Sequence, residues 1–76
     1  MNLIFERDDW NTDHEIIIKF KNNKFDWIDP IVTVYEDDEK LVVENERGYT
    51  YDYSLDDIEK YRIRVYNSED IYDVEG

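Results

Sequence analysis

Carboxylates are the side chains with the most chemistry to offer in this 76-residue chain, where 21 Asp and Glu stand against 9 Lys and Arg, 1 His and no Cys. The densest group is Glu36-Asp37-Asp38-Glu39, four hard oxygen donors of the kind Ca²⁺ takes. A calcium loop would need a twelve-residue ligand spacing and a central Gly, and neither is present, so a solvated hairpin tip is the simpler reading and no metal site is expected. His14 has no second imidazole and no thiol to work with, which removes paired-His metal sites and Cys-His dyads. A Gly-rich phosphate loop is also missing. The chain reads as non-enzymatic, with no catalytic residue and no cofactor.

What the acids offer is collective. The formal net charge is −12, a field that repels nucleic acid and anionic membrane and draws the protein toward basic surfaces. The charge is also uneven. From Asp29 to Lys60 there are eleven acids against three bases, whereas Lys19, Lys21 and Lys24 face only Asp26 between Lys19 and Ile28. On a strand, residues two apart share a face at about 6.5 to 7 Å, so Glu44 and Glu46 are expected to be spaced like neighbouring backbone phosphates. Glu36, Asp37, Asp38 and Glu39 at a hairpin, Asp52 on a strand, and Asp56, Asp57 and Glu59 on a helical turn would extend that row. These ten acids are the candidate partner-binding surface.

The elements that must position them are strands. Ile16, Ile18 and Phe20 alternate with Ile17, Lys19 and Lys21, and Ile31, Thr33 and Tyr35 with Val32 and Val34. Leu41 and Val43 alternate with Val42 and Glu44, Tyr49, Tyr51 and Tyr53 with Thr50 and Asp52, and Tyr61, Ile63 and Val65 with Arg62 and Arg64. This period of two is the strand signature. Asn22-Asn23, Glu36 to Lys40 and Arg47-Gly48 supply turns, and Asp29-Pro30 should break the sheet, since Pro has no N–H for a ladder. Ser54 followed by Leu55-Asp56-Asp57-Ile58-Glu59 has the N-cap hydroxyl and early acids of one or two helical turns.

The expected fold is therefore all-β, or β-rich with one short helical turn. It is a small antiparallel meander, and the succession of strands over roughly residues 14 to 66 resembles an SH3-like or Sm-like barrel. Residues 1 to 76 form one domain at this length, with 67 to 76 either a mobile tail or an edge strand. Twelve aromatic residues supply core area despite the charge. The lack of Cys fits an intracellular protein, and neither a membrane span of about 20 apolar residues nor a signal sequence is seen. A soluble protein off the membrane is expected.

In size, acidity, missing Cys and lack of a catalytic motif, the chain resembles the small DNA-mimic inhibitors of phages and mobile elements, such as anti-CRISPR proteins and inhibitors of uracil-DNA glycosylase. That resemblance implies an inhibitor in the cytoplasm of a bacterial host cell. Its partner would be a basic nucleic-acid-binding protein, a nuclease or Cas effector, engaged without direct nucleic-acid contact. The basic Lys19, Lys21, Lys24 patch departs from a uniform mimic. Two other readings follow from the same residues. One is a small SH3-like adaptor that takes a protein or peptide in a groove formed by Trp27 and the Tyr stripe. The other is a symmetric phage assembly protein joining residues 19 to 24 of one copy to 36 to 59 of the next. The oligomeric state is left open.

Overall fold

In the computed structural model, which describes residues 1–66, seven strands form two antiparallel sheets. The first sheet has the order β1-β4-β5-β6, from strands Asn2–Glu6, Ile31–Asp37, Lys40–Asn45 and Thr50–Ser54. The second has the order β3-β2-β7, from Phe25–Ile28, Asp13–Phe20 and Ile58–Tyr66. A single 3₁₀ turn, Leu55–Asp57, carries the chain from β6 to β7. The two sheets remain separate, so the architecture is the small all-β meander and not a closed barrel. No helix among the described residues is long and apolar enough to cross a membrane.

The alternation read from the sequence decides which residues meet between the sheets. Ile16 and Ile18 of β2, Ile28 of β3 and Ile58 of β7 close against Ile31, Val34, Leu41 and Val43 of β4 and β5. Each such side chain contributes about 1.5 to 3 kcal/mol by leaving water, and polar contacts register the layers against each other. The Tyr53 hydroxyl donates to the Asp26 carboxylate at 2.9 Å, and the Tyr61 hydroxyl to Glu36 at 3.3 Å. Phe20 and Tyr53 also meet ring to ring, at 5.6 Å between centroids.

Turn chemistry follows the sequence closely, with refinements. Asn23 takes a φ of 70° in the β2–β3 turn, and the neighbouring Asn22 side chain accepts from the Lys24 N–H. The β4–β5 loop is only two residues long, Asp38 and Glu39, both at positive φ (54° and 63°), as a primed hairpin turn requires. Gly48 sits at φ 91° between β5 and β6, where the Asn45 carboxamide oxygen accepts from the Arg47 and Tyr49 N–H groups. At Asp29-Pro30, a cis bond, the chain leaves the second sheet for the first.

Two local expectations are corrected. Ser54 makes no side-chain cap, and the helical segment is one 3₁₀ turn of three residues, because Ile58 is drawn into the core and β7 starts there. In β4 a register irregularity between Ile31 and Thr33 puts Val34 in the core with Ile31 and turns Thr33 and Tyr35 away, so strict alternation fails. Residues 2–6, which carry no clear period, pair with β4 as an edge strand through a further irregularity between Leu3 and Phe5. The reading of 67 to 76 as a tail or edge strand lies outside the described residues.

Candidate functional site

The ten candidate acids divide into three groups. The first is assembled at one end of the molecule. The Leu55 N–H donates to the Glu39 carbonyl at 3.0 Å, stitching the β4–β5 tip to the 3₁₀ turn. Asp37, Asp38 and Glu39 thus come to the same end as Asp56 and Asp57, and all five are exposed. The only positive group within ion-pair distance of any of them, among the described residues, is the N-terminal ammonium, 3.9 Å from Asp37.

The second group, Glu44 and Asp52, lies on the outer face of the first sheet. Glu44 is opposite Thr50 and Asp52 opposite Val42, which makes the two acids diagonal neighbours at about 7 to 8 Å. They have the phosphate-like spacing expected of Glu44 and Glu46, across two strands and not along one. Lys40 on the same face reaches Asp52 at 3.8 Å and interrupts the row between this pair and the tip.

The third group is engaged by other side chains of the protein, and here the expected row is corrected. β5 ends at Asn45, so Glu46 does not continue its face. Glu46 instead lies 3.7 Å from the guanidinium of Arg7, whose side chain is only 2% exposed. Arg7 also donates to Asp13 at 2.8 Å and to the Trp10 carbonyl at 3.1 Å, and stacks over the Trp10 ring. Glu36 accepts from Tyr61, and burial, with the Glu36 charge second, holds the Tyr61 phenol above its ordinary range. Glu59 sits on β7 with Lys19 at 3.5 Å.

The bases are not kept wholly apart from the acids either. The Lys21 N–H donates to the Asp57 carbonyl at 2.9 Å, which seats the Lys21 to Lys24 turn beside the acidic end. The main concentration of positive charge is elsewhere. Cross-strand pairs Lys19 with Lys60, Ile17 with Arg62 and Glu15 with Arg64 place Lys19, Lys60, Arg62 and Arg64 on the outer face of the second sheet. Phe25 and Trp27 of β3 share that face, 62% and 59% exposed. Alternation along β7 held the clue, since Arg62 and Arg64 oppose its apolar residues. Their meeting with Trp27 depends on β2 lying between β3 and β7.

Glu15 is the feature that sequence reasoning missed. It is 1% exposed on this outward face, accepts from the Trp27 indole N–H at 2.8 Å and pairs with Arg64. Its neighbour His14 packs against Phe5, with ring centroids 4.7 Å apart and the rings tilted by 50°, and its Nδ1 is unpartnered. No cluster of three or more His, Asp and Glu arranged to hold a metal occurs among the described residues.

Comparison with protein-family models, curated proteins and solved structures found no match. The functional reading therefore rests on the site. Trp27 is exposed as an adaptor groove would need, but of the stripe Tyr49, Tyr51 and Tyr53 the last two lie on β6 in the other sheet and Tyr49 just before it, so the stripe and Trp27 do not line one groove.

Proposed function

We propose that the chain is a non-enzymatic inhibitor that offers its acidic end to the nucleic-acid-binding site of a basic protein, such as a nuclease or a Cas effector. The observation that carries this reading is the Glu39–Leu55 backbone bond. It holds two acidic turns side by side, so that Asp37, Asp38, Glu39, Asp56 and Asp57 present one cluster, and Glu44 and Asp52 form a second, separate pair on the sheet beyond Lys40. A groove lined with Lys and Arg for phosphates is attracted to such a surface as it is to a strand. The fold supplies rigidity: the tip is a two-residue turn and its partner turn is anchored by Ile58 in the core.

The test is competition with DNA for a panel of basic nucleases and Cas effectors, using wild-type protein and the variant Asp37→Lys, Asp38→Lys, Asp56→Lys, Asp57→Lys. Inhibition is expected to weaken with salt and to fall at least about tenfold in the variant, the scale of truncating charged contacts at an interface. Glu46→Gln and Glu59→Gln, whose acids already serve Arg7 and Lys19, should change it far less. Inhibition that survives the four reversals, or that ignores salt, would remove mimicry as the mechanism.

A further inference from the structure

We infer that the outer face of the second sheet is a binding platform for single-stranded nucleic acid, on the side of the molecule away from Glu44 and Asp52. Net charge argues against nucleic-acid contact when the chain is read as a sequence, but the fold sorts that charge. Phe25 and Trp27 stand two residues apart on one strand, both outward, at about 6.5 to 7 Å, a separation suited to two successive unstacked bases. Across the sheet, Lys19 is paired with both Phe25 and Lys60, and Ile17 with both Trp27 and Arg62. Each aromatic ring therefore faces a cation two strands away, about 10 Å off by the interstrand spacing, within the reach of a phosphate whose base lies on the ring.

Three further observations support a built surface. A recess of about 390 Å³ opens between Phe25, Ile17, Lys19, Lys60 and Arg62. Lys60 and Arg62 have no ion-pair partner among the described residues, whereas Lys19 and Arg64 are engaged by Glu59 and Glu15. Glu15, buried beneath this face, takes the Trp27 N–H, which anchors the indole edge while the residue stays 59% exposed. Base–aromatic stacking tolerates any sequence, and cations beside it track the backbone. A duplex keeps its bases stacked and offers nothing to Trp27 or Phe25, and an acidic peptide would use the cations but not two flat rings in register.

The repulsion from the acidic end is screened beyond about 8 Å at physiological ionic strength, so the measurement belongs near about 0.15 M salt. Labelled oligo-dT of about ten nucleotides is titrated with the full chain by fluorescence anisotropy, alongside the matching duplex, a poly-Glu peptide and thymidine monophosphate as competitors. Saturable binding is expected, weakened about five- to a hundredfold by Trp27→Ala or Phe25→Ala and about tenfold or more by Lys60→Glu with Arg62→Glu. Phe25→Ala leaves the Glu15 contacts intact, so a folding defect at Trp27 does not decide the outcome. The Asp37, Asp38, Asp56 and Asp57 reversals should not weaken it, which separates this face from the acidic end. Absence of binding, indifference to both aromatic variants, or equal competition by the duplex, the peptide or the mononucleotide would overturn the inference.

Discussion

Replacing Arg64 by Ala tests whether Glu15 is the buried charge on which the second sheet's outer face depends. Glu15 is 1% exposed and Arg64 about half exposed, so the two ends of this pair are not equivalent. Breaking a fully buried pair from one side costs about 3 to 5 kcal/mol. Here the loss is smaller, about 2 kcal/mol, because Trp27 still donates to the carboxylate and Arg64 is already half hydrated. For a domain of this size that corresponds to a fall of about 8 to 16 °C in Tm. Glu15→Gln keeps an acceptor for the indole and leaves Arg64 free to hydrate, so it should cost only about 1 kcal/mol. The double variant holds no buried charge and should be close to Glu15→Gln alone, a coupling of about 2 kcal/mol. Urea denaturation of the four proteins, followed by far-UV circular dichroism, measures all these terms. The reasoning fails if Arg64→Ala costs no more than Glu15→Gln, or if the two losses simply add.

Glu39→Gly should stabilise the fold by about 1 kcal/mol, because it relieves a non-glycine residue at φ 63° in the hairpin tip and removes one of five crowded acids; an unchanged urea midpoint would refute it. Burial first, and then the carboxylates of Asp26 and Glu36, raise the phenols of Tyr53 and Tyr61 above the ordinary value of 10.0. The neutral phenols are therefore favoured by folding, a contribution complete below pH 10 and lost as pH rises beyond it. Phenolate absorbance should show a component above pH 10.0 that is lost in Tyr53→Phe and Tyr61→Phe, with stability declining over that alkaline window.

The sequence by itself determined the strands and most of the turns. Ile16, Ile18, Leu41 and Val43 are fully buried while Ile17 and Val42 between them are only half-buried, and a period of two commits a segment to a half-buried strand whatever its neighbours are. Asn22-Asn23, Arg47-Gly48 and Asp29-Pro30 mark turns because their backbones accept what other residues resist. The size of the negative charge and the lack of thiols were equally plain.

Tertiary structure alone decided which charges act together. Glu44 and Glu46 look like a pair along the chain, yet β5 ends between them and Arg7, from the loop after β1, captures Glu46. Asp52 is eight residues beyond Glu44 but becomes its neighbour through the β5–β6 register. The Glu39–Leu55 bond joins two acidic turns that sequence distance separates, while Lys21 is brought beside Asp57 and not held apart. β3 and β7, which end at Ile28 and begin at Ile58, flank the same strand, and that order gathers Trp27, Glu15 and Arg64 on one face. Local propensity fixes how each segment folds, but pairing order and register are long-range choices made by the core, and they turn an acidic chain into one with two distinct faces.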